Sequence, residues 1–284
     1  MAKLRLDLQL TGFKQASGKL KQFGNKMKSV GASMQKFSLP LAIAGGAAIK
    51  MASDFDKNIT KIEALVGRTG KELDSFAEAS KRMATETGIS SAKTSEAMFF
   101  IASAGLENAA AISVLEAASK ASASGLGDVA QIADLATSAL NAYGSKALSA
   151  EGATDVLTAA VREGKLSSEE LAGAMGGVLP IASNLGVSFD EVGATLAAMS
   201  RTGTNAANGA TQLNSILTGL LKPTNQAEDA LRSMGLSSSG LKQQIKDEGL
   251  LSVLETLKTE FDKNSDAAAQ VFPNIRALKG VLDL

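Results

Sequence analysis

Leu4, Leu6, Leu8 and Leu10 alternate with Arg5, Asp7 and Gln9, the two-residue period of a half-buried strand. Thr11-Gly12 ends it, and no later stretch alternates as well. A single strand leaves backbone groups unpaired, so this one is expected to add to a sheet in another chain. From Phe13 the period changes. Phe13, Ala16, Leu20, Phe23, Met27, Val30, Met34 and Phe37 are spaced three and four apart, a heptad seam, with Lys14, Lys21 and Lys28 recurring outside it. The seam fits an amphipathic helix packed on its own domain and a self-associating coiled coil equally well. Pro40 and Gly45-Gly46 end or bend it.

The rest of the chain reads as short amphipathic helices punctuated by glycine. Apolar faces are expected at Leu73, Phe76, Ala77, Ser80 and Met83, then at Ala109, Ile112, Leu115, Ala118 and Ser119. A third runs through Val129, Ile132, Leu135, Ala136, Ala139, Leu140 and Tyr143. Others centre on Leu157, Leu171, Leu213–Leu221 and Leu250–Phe261. Thr69…Glu72, Ser167…Glu170 and Ser188…Glu191 fit the capping box, in which hydroxyl and carboxylate satisfy free N–H groups reciprocally. Gly88, Gly105, Gly125, Gly144, Gly164, Gly186 and Gly203 stand where helices should end. Gly105-Leu106-Glu107-Asn108, Gly125-Leu126-Gly127-Asp128 and Gly186-Val187-Ser188-Phe189-Asp190 share one logic: helix end, apolar anchor, N-cap. Repeated helical hairpins follow from it.

The pattern thus predicts an all-α fold of short antiparallel helices and helical hairpins, with one N-terminal β-strand and a basic heptad-patterned helix. Four segments are expected: a strand over 1–12, the basic helix and apolar Gly-rich turn over 13–50, a helical core over 51–235, and a helical extension over 236–284.

Composition changes this picture in three ways. Hydrophobic residues make up 45% of the 284, but aromatics only 4%, so helices must pack by close backbone approach. There is no Cys and no His, which removes disulfides, thiolates, the usual neutral-pH base and the commonest metal ligand. Net charge is zero, yet residues 1–36 hold eight basic groups (Lys3, Arg5, Lys14, Lys19, Lys21, Lys26, Lys28, Lys36) against Asp7. That is 8 − 1 = +7, leaving −7 for residues 37–284. A basic arm on an acidic body points to electrostatic contact with a partner or another subunit. The arm lacks the interleaved aromatics of a single-strand nucleic-acid binder, and no specific nucleic-acid sequence is expected as a partner.

Chemical motifs fail one by one. Asp54, Asp56 and Asn58 open like a calcium loop, but Ile59 and Leu65 occupy the glycine and glutamate positions. Asp262, Asn264 and Asp266 meet Ala267 and Pro273 there. Gly-Lys pairs at 18–19, 70–71 and 164–165 lack the upstream glycine of a phosphate loop. Ser239 and Lys242 stand without the further elements of an S-x-x-K hydrolase. Glu169 and Glu170, adjacent on a helix start, diverge. No catalytic, metal or cofactor site is expected, and the chain reads as a non-enzyme. Leu39–Ile49, flanked by Lys36 and Lys50, is about half the ~20 residues of a spanning helix. It reads as a buried helix or turn; the alternative is a membrane-active segment used in DNA delivery.

One succession goes beyond generic helix. Residues 85–106 read Thr-Glu-Thr-Gly-Ile-Ser-Ser-Ala-Lys-Thr-Ser-Glu-Ala-Met-Phe-Phe-Ile-Ala-Ser-Ala-Gly-Leu. Val178-Leu179-Pro180-Ile181-Ala182-Ser183-Asn184-Leu185-Gly186-Val187-Ser188-Phe189 follows, then Met199, Thr202-Gly203, Gly209-Ala210-Thr211-Gln212-Leu213, Leu220 and Pro223. From about Asp54 to Gly235 this order resembles the core region of phage tail tape measure proteins. The family often has Ala-Gly-Thr where this chain has Gly209-Ala210-Thr211. The resemblance implies a structural role: a protein of the virion's tail tube lumen, present in host cytoplasm during assembly, that sets tail length and leaves during DNA ejection. It implies a homo-oligomer, most often a trimer, working with tail tube protein, tail assembly chaperones and baseplate or tail-tip proteins, and touching the host membrane transiently. A cell-wall hydrolase-bearing tail protein is the remaining alternative. A continuous helix of 284 residues reaches at most about 430 Å, and folded-back helices far less, so the chain is expected to be an N-terminal part of a longer protein.

Overall fold

In a computed structural model of the chain, residues 45–263 and 267–272 are described. Every element among them is helical. The expected strand and basic heptad helix lie outside the described residues, apart from the last residues of the apolar turn. The described residues divide into two compact units, one of residues 45–158 and 167–172, the other of 159–166 and 173–272.

The first unit opens with α1 (Gly45–Lys61), which widens into a π-helical turn over Ile62–Val66. It continues with α2 (Gly70–Thr87), α3 (Ser91–Ser103), α4 (Asn108–Ala123) and α5 (Val129–Tyr143). Most of α6 (Ala150–Glu163) and the start of α7 (Ser168–Met175) complete it. The central helix is α3, packed on α1, α2, α4 and α5. It shows no narrow apolar stripe because neighbours cover most of it: Thr94, Ser95, Ala97, Met98, Ile101 and Ala102 are all buried. Two of these are polar and each is satisfied. The Thr94 hydroxyl donates to the Ser80 carbonyl at 2.8 Å, and the buried Asn58 amide donates to the Ala92 carbonyl at 3.0 Å and Ser95 Oγ at 3.1 Å. These bonds fix α1 and α2 against α3 where small side chains bring the backbones close.

The second unit contains α8 (Leu179–Leu185), α9 (Phe189–Arg201), α10 (Ala206–Leu221), α11 (Asn225–Ser233), α12 (Ser238–Glu248), α13 (Leu250–Lys263) and α14 (Ala267–Val271). Here α8, α9 and α10 pack on one another, α12 packs on α8, α10 and α13, and α11 packs on α14. Phe272 lies edge-on to Phe261, 6.3 Å between ring centres, and sits over Gly219 of α10 so tightly that a Cβ there would come within 3.2 Å of its ring.

One joint recurs in both units. A helix ends in a left-handed glycine, the next residue anchors in the core, and a short polar side chain caps the following helix. At Gly125-Leu126-Gly127-Asp128, Leu126 N–H donates back to Ala121 O at 3.1 Å, and Asp128 accepts from Ala130 N–H. At Gly186-Val187-Ser188, Val187 N–H reaches Ala182 O at 2.9 Å, and Ser188 accepts from Glu191 N–H. Gly235-Leu236-Ser237 repeats the pattern, with Leu236 N–H on Leu231 O at 2.9 Å and Ser237 accepting from Gly240 N–H. The first two joints set α5 back on α4 and α9 on α8, whereas after Gly235 the next helix, α12, packs on α8, α10 and α13 instead.

Candidate assembly surfaces

The side chains that resemble chemistry in the sequence hold the fold together instead. Asp54 pairs with Lys57 at 3.3 Å, and Asn58 clamps α1 to α3. Glu170 completes the capping box with Ser167, while Glu169 accepts from Gln131 at 3.3 Å, so the two adjacent carboxylates do face apart. Ser239 shares a hydrogen bond with Ser237 at the start of α12. Among the described residues no group of three or more Asp or Glu is placed to hold a metal ion. Nor is any described helix long and apolar enough to cross a membrane.

The expected association residues are not among those described: Phe13, Leu20, Phe23, Met27, Val30, Met34 and Phe37 of the seam, and Leu4, Leu6, Leu8 and Leu10 of the strand.

Of the described surface, the ends of α1 and α3 stand apart. Leu65 in the π-helical turn is 73% exposed and Phe100 in α3 is 41% exposed, the two large hydrophobic side chains that the described fold leaves bare. Both α1 and the turn pack on α3, and Lys61 Nζ lies 5.9 Å from the centre of the Phe99 ring. Phe99 in turn meets Phe100 edge-on at 5.5 Å. Glu63 of the turn and Glu96 of α3 are exposed as well. Once Met98, Ile101 and Ala102 take the core side of α3, the consecutive Phe99 and Phe100 cannot both follow them.

Three charged contacts tie elements within the first unit. Arg68 donates to Glu107 at 2.9 Å and lies 3.5 Å from Glu72. Arg82 bonds Glu116, joining α2 to α4. Lys93 of α3 donates to Asp128 at 2.8 Å, at the cap of α5. Burial opposes the charge on Asp128, but the Lys93 hydrogen bond, the Ala130 N–H and the Lys93 charge outweigh it and hold the carboxyl below its usual range.

Residues 77–275, most of both units, match the family described as phage-related minor tail protein. The chain belongs to that family. Among relatives of this tail protein is a tape measure protein of Pneumococcus phage Dp-1, 26% identical over 222 residues, which are 78% of this chain and 19% of that protein. A probable tape measure protein of Escherichia phage P2 is 22% identical over 278 residues, 96% of this chain and 33% of the relative. Another, of Clostridium phage phiCD119, is 26% identical over 246 residues, 84% of this chain and 26% of the relative. The tail protein thus spans from 19% to 33% of the length of these relatives. No solved structure matches it.

Proposed function

We propose that this chain is the folded N-terminal module of a tape measure protein, a structural component that determines tail length and supports tail assembly. Carrying the reading is the coverage: three tape measure relatives align with most of this chain, while it covers only a minor part of each. Helical hairpins folded back on one another are a poor ruler, because their span grows slowly with chain length. The measuring rod is therefore assigned to the rest of such a protein, and this module to one end of it. In this reading the protein lies in the tail tube lumen and leaves during DNA ejection, after assembly in the host cytoplasm. Its partners are tail tube protein, tail assembly chaperones and baseplate or tail-tip proteins. Copies associate as a trimer along the seam of Phe13, Leu20, Phe23, Met27, Val30, Met34 and Phe37, and the strand of Leu4, Leu6, Leu8 and Leu10 adds to a neighbouring sheet. No catalytic role is assigned.

Cryo-electron microscopy of tails carrying an affinity tag on this chain tests the placement. Helical density of this module inside the tube at one end supports it. A tag reachable by antibody along the outside of intact tails contradicts it.

A further inference from the structure

The caps of alternate helices in the first unit recur at a nearly fixed interval. Ser90, Asp128 and Ser167, which cap α3, α5 and α7, lie 38 and 39 residues apart. Ser90-Ser91 followed by Ala97-Met98 returns two intervals later as Ser167-Ser168 followed by Ala174-Met175. Bonds between helices keep a similar step. Asn58 reaches Ala92 and Ser95, 34 and 37 residues on, and Arg82 reaches Glu116 after 34. Asn141 donates to Ala104 O across 37. The residue three past one cap bonds the start of the next alternate helix: Lys93 to Asp128, then Gln131 to Glu169. Each of these bonds joins a helix to its next neighbour but one, and the chief packing pairs of this unit are neighbours or next-but-one neighbours. That is the wiring of a stack of helical hairpins, α1–α2, α3–α4 and α5–α6, in which each hairpin is held by those beside it.

The second unit is wired differently. Here α12 packs on α8 and α10, Glu191 of α9 accepts the Leu250 N–H of α13 across 59 residues, and Phe272, just past α14, lies against Gly219 of α10. Its last helices are thus tied back to α8, α9 and α10. We infer that the first unit comes apart one hairpin at a time, from its ends, whereas the second unit opens as one body. In a stack, losing an outer hairpin removes only its contacts with the next. In the second unit, losing a late helix uncovers an early one. The outer position suits α1. Its Phe55, Asn58 and Ile62 are buried, while Ser53, Asp56, Lys57, Thr60 and Lys61 are exposed, the polar outer side that an end helix needs. A chain drawn lengthwise through a tube yields to less force when it gives way hairpin by hairpin than when all its contacts must break together. That use rests on the tube placement proposed above; the stepwise opening does not.

Two experiments on the full chain test this. In the first, hydrogen exchange is followed helix by helix in urea below the unfolding transition. Phe76, fully buried in α2, is changed to Ala. The expected result is exchange about tenfold or more faster in α2, with α5 within about twofold of the parent chain. Leu213→Ala, at a fully buried position of α10, should instead speed α8, α9, α12 and α13 by a common factor. Equal acceleration of α2 and α5, or loss of protection throughout the first unit, would overturn the inference, as would a Leu213→Ala effect confined to α10. In the second experiment the parent chain is stretched from its two ends in optical tweezers, so that no variant has to fold. Release of the first unit in successive steps of about 130 Å or less, the length of 38 extended residues, is expected. A single release about three times as long, from residues 45–158 together, would contradict stepwise opening whether or not the protein measures a tail.

Discussion

Glu191 and Leu250 are joined across 59 positions of sequence: a Glu191 carboxylate oxygen accepts the Leu250 N–H at 2.7 Å. The other oxygen accepts the N–H of Ser188 at 3.0 Å and its hydroxyl at 3.1 Å, while Ser188 Oγ takes the Glu191 N–H. One carboxylate thus closes the capping box of α9 and satisfies the first N–H of α13. Gly249 lets the chain come this near, with φ +93° and a Cβ position only 2.4 Å from Glu191 Oε1. Glu191→Ala should cost about 2–3 kcal/mol, one cap plus one buried N–H left without a partner. Glu191→Gln should cost less. Urea titration of each variant gives the values; a loss under half a kcal/mol for the alanine variant would mean the carboxylate is only local.

Gly164 and Gly173 are both glycines near helix ends, with opposite expected responses to alanine. A Cβ on Gly164 would lie 2.8 Å from Ala160 O, 2.8 Å from Ser200 Oγ and 3.1 Å from Ala197 Cα. Gly164→Ala should therefore destabilise by about 1–3 kcal/mol through overpacking. Gly173 lies in α7 with nothing within 4 Å of a Cβ, so Gly173→Ala should be neutral or stabilise by up to about 1 kcal/mol. Thermal unfolding of the two variants side by side distinguishes these signs.

These two glycines also show how far the sequence carries. All seven expected glycines stand at or just beyond a helix end, Gly164 directly after α6; six take positive φ, whereas Gly164 is required by packing against Ala197 and Ser200, a contact between distant segments that no local pattern reveals. The capping boxes at Ser167–Glu170 and Ser188–Glu191 form. Thr69–Glu72 does not: Thr69 makes no side-chain cap, Gly70 turns to φ +59°, and Arg68 draws Glu72 aside. The apolar face of α4 lies rotated from expectation. Ala109 is exposed and Ile112 half-exposed, while Ala111, Val114 and Ala117 are buried. Alanine fits either side of a helix, so an Ala-rich segment defines its face poorly until neighbours choose it. Phe99 and Phe100 were legible as residues but not as a surface, because their exposure depends on α1 and α4 taking the other sides of α3.

Acid should weaken one particular link. The folded-state pKa of Asp128 lies below its unfolded value, so the stability that it contributes is present above the unfolded carboxylate range, near 3.9, and is lost as pH falls through the lower folded value. Asp128→Asn should therefore destabilise at pH 7, and the difference from the parent chain should shrink below about pH 4. Denaturant midpoints at both pH values test this. A penalty that stays constant would show that the asparagine lost only its cap geometry and not the Lys93 interaction.

Asn58 makes a third kind of link, through buried neutral hydrogen bonds. Asn58→Ala leaves the Ala92 carbonyl and the Ser95 hydroxyl without that donor and should cost about 1–3 kcal/mol. Hydrogen exchange should then accelerate in α1 and α3 more than in α10. Acceleration confined to α1 would limit the clamp to that helix.

The most direct test of the tape measure reading is tail length. In the phage that encodes this chain, its gene is shortened in frame outside the part for residues 45–272, and tails are measured by electron microscopy. The account predicts assembled tails shorter by about 1.5 Å for every residue removed from a helical rod. Tails of unchanged length, assembled in normal number, would contradict it.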